Sequence, residues 1–135
     1  MCGLLTPGDF PVQPGAGGTA TQEPQYDGDL CSTSVQLKDI LSVLVSTIER
    51  RIRPFSQFTP PSSSKNGKLT EISGRKAWVG NPFSDVDKGC VAVFAAADGY
   101  ISLSVTDETG RGVDPCQTVV ALAEKVASRT AAPRG

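Results

Sequence analysis

Four cysteines, Cys2, Cys31, Cys90 and Cys116, are the residues of this chain best suited to covalent chemistry, and they occur in a chain without histidine. Cysteine can bridge, ligate a metal or act as a nucleophile. Metal binding fits poorly. There is no C-x-x-C pair and no imidazole, and the cysteines stand 29, 59 and 26 residues apart. No metal or other cofactor is expected. A reactive thiol would be best placed at Cys116, near a predicted helix N-terminus that lowers its pKa. The even count at wide spacing points instead to two structural disulfides, and so to an oxidising compartment.

The remaining candidates are weaker. Asp85-Val86-Asp87-Lys88-Gly89 has the start of a calcium loop without its later ligands, and reads as a solvated turn. No G-x-S-x-G occurs, no histidine could activate a serine, and no spacing supports a Ser–Lys dyad. Asp107 and Glu108 are adjacent, so on a strand they diverge to opposite faces; Asp85 and Asp87 fall in a loop. Arg50, Arg51 and Arg53, with Arg75 and Lys76, make the one basic cluster, which reads as a solvated face more readily than as an anion site. Trp78, the sole tryptophan, could stack on a ligand, but core packing is the simpler account in a chain with 6% aromatics. No catalytic residue emerges, so the ligand-binding residues are unknown at this level and a non-enzyme is expected.

The chain has 135 residues, 39% of them apolar, which suits one domain with one core. Its 14 glycines and 10 prolines predict much turn and loop. A net charge of −1 argues against a nucleic-acid partner held by bulk charge. No apolar run reaches transmembrane length. Met1 leads directly into Cys2 and Gly3, so an export signal is expected upstream of residue 1. Lipidation of Cys2 itself would need an apolar segment ahead of it and would leave an odd cysteine count.

Several elements follow from pattern. Thr6 as N-cap, Pro7 as first residue and Asp9 in the third position predict a short N-terminal helix. Residues 11–30 read as a long loop closed by a Cys2–Cys31 bridge. Residues 32–53 read as two strands with a turn at Lys38-Asp39; a helix over 39–53 is the rival. Residues 56–67 read as a polar, mobile loop, and 68–73 with 76–80 as a hairpin around Ser-Gly-Arg. Residues 81–89 form another loop. The run 90–106 predicts a type I′ hairpin at Asp98-Gly99, with Ala96 opposite Ile101 and Phe94 opposite Leu103. Its core face then holds Cys90, Ala92, Phe94, Ala96, Ile101, Leu103 and Val105. A C-terminal helix is capped by Asp114, begins at Pro115 and carries the stripe Val119, Leu122, Ala123 and Val126. The tail 130–135 is expected to fray.

These elements constrain the cysteines. Cys90 lies on the predicted core face and Cys116 in the first turn of the helix that covers it, so a Cys90–Cys116 bridge would pin helix to sheet. Cys2–Cys31 would pin the N-terminal segment. The same four residues allow two other connectivities.

An ordered set of motifs carries a resemblance. Cys-x-Leu-Leu-Thr-Pro near the start, the lone Cys31, Ser-Gly-Arg-Lys-Ala at 73–77 and Gly-Cys-Val-Ala-Val at 89–93 come first. Ala-Asp-Gly at 97–99, Ser-Leu-Ser-Val at 102–105 and Asp-Pro-Cys at 114–116 follow. This order resembles the DUF3558 family of actinobacterial, mycobacterial-type envelope lipoproteins of uncharacterised function. The resemblance implies an extracytoplasmic domain tethered through a lipidated cysteine upstream, and a bond between the Asp-Pro-Cys cysteine and the one before the hairpin. It transfers no catalytic residues.

The expectation is therefore a single α+β domain: an antiparallel sheet of four to six strands, the C-terminal helix on one face, a short N-terminal helix and two disulfides. Its function is expected to be non-catalytic, the binding of a protein or small ligand in the cell envelope, with membrane contact only through the anchor. A small secreted hydrolase or redox-active domain is the alternative; a secreted inhibitor presenting 56–67 is the second.

Overall fold

The computed structural model describes residues 3–6, 9–10, 14–24, 28–37, 43–61, 64, 66–81, 89–107 and 114–133. Seven strands form one antiparallel sheet: β1 (Pro14–Pro24), β2 (Gly28–Leu37), β3 (Val43–Arg51), β4 (Lys68–Ile72), β5 (Arg75–Gly80), β6 (Gly89–Ala96) and β7 (Gly99–Asp107). Their order is β1-β2-β3-β7-β6-β5-β4, so β1 and β4 are the edges. One helix, α1 (Pro115–Ser128), packs chiefly on β6 and β7. The α+β class is as expected. Six of the strands match the expected sheet size, and β1 adds a seventh.

β1 corrects the reading of 11–30 as loop. This stretch, rich in Gly, Pro and Thr, has no apolar alternation because it joins the sheet by backbone pairing at an edge: Thr19 faces Ser34, Thr21 faces Ser32 and Gln22 faces Cys31. β2 and β3 pair from Gly28–Arg51 to Gln36–Val43, which rules out a helix over 43–51. Residues 38 and 39, the expected turn, lie outside the described residues.

The β6–β7 hairpin differs from its predicted register by two residues. Ala96 pairs with Gly99, Phe94 with Ile101 and Ala92 with Leu103, so Ala97 and Asp98 form the turn. Because side chains alternate with period two, a slip of two leaves each residue on its face. The predicted core face therefore stands: all seven of its residues are in the core cluster. The turn is not type I′. That turn needs positive φ at both central residues, and Ser73 is the only non-glycine with positive φ among the described residues. The conformation occurs between β4 and β5, where Ser73 and Gly74 have φ of 51° and 79°. Gly99 is required for space: a methyl there would collide with the carbonyl oxygen of Arg51 on β3.

α1 begins as predicted. The Asp114 carboxylate accepts from the backbone N–H groups of Cys116 (2.9 Å) and Gln117 (3.2 Å), satisfying two donors that helix geometry leaves free. Val119, Leu122, Ala123 and Val126 are fully buried against Phe94, Ile101, Leu103 and Val105. Each larger side chain so removed from water stabilises by about 1.5–3 kcal/mol.

The N-terminal segment closes the same core. Leu5 and Phe10 join it, and the Asp9 carboxylate accepts from the Thr6 backbone N–H at 2.9 Å. Arg129, just past α1, donates to both Asp9 carboxylate oxygens (2.8 and 2.9 Å) and to the Leu4 carbonyl (2.6 Å). The Lys125 ammonium donates to the Asp9 carbonyl at 2.6 Å. Hydrogen bonding from Arg129 holds the Asp9 carboxyl far below the usual carboxylate pKa. A carboxyl depressed on folding contributes stability above its unfolded pKa of about 3.9, lost as pH falls through the folded value. Asp9→Asn is therefore expected to lower the thermal midpoint at pH 7. Its difference from the parent should shrink progressively below about pH 4. Thermal melts of both chains across pH 2–7 check this; a pH-independent difference would contradict it.

Candidate functional site

The two faces of the sheet differ. The front face carries the main core under α1 and the N-terminal segment. The back face of β5–β7 carries a second, aromatic cluster. Trp78 is 3% exposed, yet it lies on this back face and not in the main core. Its partner on β6 is Val93 and on β4 Leu69, and residues directly opposite share a face.

The segment after β3 folds back to cover this cluster. Pro54 precedes a single 3₁₀ turn, Phe55–Gln57, closed by the Gln57 and Phe58 backbone N–H groups donating to Pro54 and Phe55 (both 2.9 Å). The turn brings Phe55 and Phe58 onto one side with ring centroids 6.0 Å apart. Phe58 then sits 5.7 Å from both Trp78 and Tyr100, a separation at which tilted aromatic pairs attract. Phe58, in the first part of the segment 56–67 expected to be a mobile loop, packs against the sheet through these rings. The far edge of the indole lies against Gly67 and Gly80, where an added methyl would strike the ring.

Beside this cluster runs an open groove of about 1120 Å³. Its floor is Trp78, Phe58 and Ala95; Leu69 on β4 and Ile52 after β3 flank it. Those two are the exposed large hydrophobics among the described residues, 76% and 59% exposed. Ala132 and Pro133 close one end. They are held there because the Ala97 N–H donates to the Ala131 carbonyl at 3.1 Å. At the start of the tail 130–135, expected to fray, Thr130 and Ala131 are hydrogen-bonded to Arg75 and Ala97.

The lining charges are unequal in their commitments. Asp98 pairs with Arg50 at 3.7 Å. Arg75 is spent on the fold. The residue is 8% exposed, and its guanidinium donates to the carbonyls of Ala127 (2.7 Å), Thr130 and Ala95 (3.4 Å) and to Thr130 Oγ1 (3.1 Å). It also lies 5.8 Å from the Phe94 ring centroid. Burial lowers its pKa. Lys68 and Lys76, both exposed, form no ion pair among the described residues.

The basic cluster expected as one solvated face is thus dispersed. Arg75 is buried beneath the end of α1, and Lys76 lies on the opposite face. Arg50 meets Asp29 at 3.0 Å across the β2–β3 pair, and Arg51 pairs with Glu49. Alternation along β3 and β5 separates neighbours that adjacency in sequence groups together. The groove also contains Ser56 and Ser73, but among the described residues neither hydrogen-bonds a lysine. Asp85, Asp87 and Glu108 lie outside the described residues, and Asp107 ends β7. Among the described residues no three His, Cys, Asp or Glu side chains converge as a metal site.

Cys90, fully buried on β6, is bonded to Cys116 in the first turn of α1, with Cα atoms 5.0 Å apart. Among the described residues there is one complete disulfide and no free cysteine. Cys2, and with it the expected Cys2–Cys31 bridge, lies outside the described residues. Cys31 is 2% exposed, opposite Ile48 in the β2–β3 pair.

The groove escaped the sequence reading because its parts are spread from Ile52 to Pro133 and none forms a motif. The pair Phe55 and Phe58, three residues apart beside Pro54, is the local signal that could have indicated it. Comparison of the chain with family models, with curated proteins and with solved structures gives no match to any of the three.

Proposed function

We propose that this chain is the extracytoplasmic, non-catalytic ligand-binding domain of a lipid-anchored envelope protein, and that it binds through the aromatic groove. The observation that carries the reading is the groove itself: about 1120 Å³ of open space floored by Trp78 and Phe58 and flanked by two exposed aliphatic side chains. Ligand sites are concave, mostly apolar and marked by a few polar groups at fixed positions. The Cys90–Cys116 bond is consistent with an oxidising compartment. The envelope assignment rests on the ordered motifs that resemble the DUF3558 family.

The second bridge, Cys2–Cys31, belongs to this reading. Cys31 is buried on the front face with Val35 and Ile48, and Leu5 and Phe10 pack into the same core. A bond from Cys2 would fix the N-terminal segment over that face. The native protein, extracted from its own cells, should enter the detergent phase on phase separation and remain unlabelled by a thiol reagent until it is unfolded and reduced. Recovery in the aqueous cytosolic fraction with cysteines labelled after unfolding alone would overturn the envelope reading.

A further inference from the structure

The sheet has an open edge beside the groove. β4 is a terminal strand, and four of its five residues are exposed. The other edge, β1, carries Pro14 and Pro24 and lies at the opposite end of the sheet. Proline withholds a backbone donor and so blunts an edge against pairing. β4 has no proline, and its Leu69 is 76% exposed.

Register fixes which backbone groups β4 presents. Ser73 and Gly74 make a two-residue turn with positive φ at both positions, so Ile72 and Arg75 close it as a hydrogen-bonded pair. Along an antiparallel ladder such pairs alternate with pairs whose backbone groups point outwards. Thr70 and Lys68 therefore bond to β5, while Leu69 and Glu71 direct their N–H and C=O groups away from it. No strand meets these groups among the described residues. The side chains of Leu69 and Glu71 share the back face with Trp78 and Lys76, which stand directly opposite them.

This geometry accepts one more strand. A residue paired with Leu69 sets its side chain on the back face, beside the apolar groove that Leu69 flanks. A residue paired with Glu71 sits next to a carboxylate that forms no ion pair among the described residues. Lys76 flanks Glu71 on β5, so a cation on the outer side continues an alternation of charge across the strands, whereas an anion there meets a like charge directly opposite. That cation lies two strand spacings from Lys76, about 10 Å, where solvent screens the repulsion. An antiparallel segment meets Glu71 before Leu69, so its pattern is a basic residue followed two positions later by an apolar one. The five residues of β4 span about 17 Å. A stable pair of protein copies buries roughly 1,200–2,000 Å² in total, more than strand pairing over this edge supplies, so a single extended segment fits it better than a second copy.

We propose that β4 and the groove take an extended peptide segment of a partner protein by strand addition, antiparallel to β4, with a basic residue opposite Glu71 and an apolar residue opposite Leu69. Backbone bonds hold such a segment and the two side chains select it. This rests on the binding reading above and adds the chemical class of the ligand.

The probe is the capped peptide Thr-Lys-Thr-Leu-Thr, titrated into the whole chain while NMR follows the Leu69 and Glu71 amides. Both amides are expected to shift, saturate and exchange with solvent more slowly when bound. Methylating the leucine nitrogen of the peptide removes a bond to β4 and should weaken binding about tenfold. Methylating the central threonine nitrogen, which points away from β4, should change it by less than about twofold. Glu71→Gln should weaken binding about threefold at low salt and leave it unchanged at high salt. Glu71 is exposed, so this variant retains the fold, which its melting midpoint verifies. Equal affinity of the two methylated peptides would overturn strand addition while leaving the apolar groove standing. No shift at about 5 mM peptide, enough to reveal even a millimolar affinity, would overturn the peptide as ligand. If anilinonaphthalene sulfonate also leaves the Trp78 indole signal unmoved, the groove reading falls with it. A dimer of the chain alone in sedimentation, dispersed by Leu69→Lys, would overturn the proposal in favour of a second copy.

Discussion

Replacing Cys116 by serine is expected to destabilise the protein by roughly 3–4 kcal/mol, the magnitude of closing a loop of about 27 residues in the unfolded chain. In a domain of this size such a loss lowers the melting midpoint by roughly 10 °C or more. The bond ties the first turn of α1 to a fully buried position on β6. Its loss frees the unfolded chain and leaves the Cys90 thiol in the core without its partner. Position 116 itself is only half-buried, so the serine adds little desolvation cost of its own. Differential scanning calorimetry of the two chains under non-reducing conditions is the check. Reducing agent should carry the parent towards the variant and leave the variant where it is. A midpoint within about 2 °C of the parent would contradict the assignment.

The second large effect is expected at Arg75. Its guanidinium is buried beneath the end of α1, where it donates to the carbonyl of Ala127 in the last turn and to that of Thr130 just past it. It holds no carboxylate among the described residues. The helix end, with its partial negative charge, is the counterpart of the cation. Arg75→Ala removes charge-assisted hydrogen bonds worth about 1.5–3 kcal/mol each and empties the space under the helix end, so a loss of about 3 kcal/mol is expected. Arg75→Lys keeps the charge but not the planar fork that reaches several acceptors at once, and should recover only part of it. Urea unfolding at constant m reads both. A change of about 0.5 kcal/mol or less for Arg75→Ala, the range of ordinary surface substitutions, would show that the arginine does not hold the tail.

Arg75 also shows where sequence reasoning stops. It stands between Gly74 and Lys76, a context that signals a solvated turn, and the helix end and tail that cover it lie more than 50 residues away. The helix that buries it was legible: Asp114, Pro115 and the apolar stripe specify its start and its inward face by local chemistry alone. The core face of β6 and β7 was equally legible, because the period of a strand survived an error of two in register. The turn chemistry was less so. Asp98-Gly99 and Ser73-Gly74 look alike as dipeptides, but only the second has the two left-handed residues; Gly99 is small because β3 passes close to it. β1 was illegible because an edge strand held by backbone pairing needs no side-chain pattern.

The groove lay beyond the sequence for a related reason. Trp78 reads as core and is nearly buried, so its other property, facing the back of the sheet, appears only once the strand order is known. Phe58 sits in a segment whose serines and prolines suggest disorder, and a single 3₁₀ turn is enough to direct it onto the indole. The candidate site is thus assembled by topology from residues that carry no local functional signal.

The most direct test of a binding groove is to see where a ligand lands. The single tryptophan gives one indole N–H signal in an amide-correlated NMR spectrum, an unambiguous probe of the floor. On titration with anilinonaphthalene sulfonate, a probe of apolar surface, that signal and the amides of Phe58 and Leu69 are expected to shift together and saturate, while the amides of Val119 to Val126 on the far side of the sheet stay in place. An unmoved indole signal, or shifts confined to α1, would contradict the account.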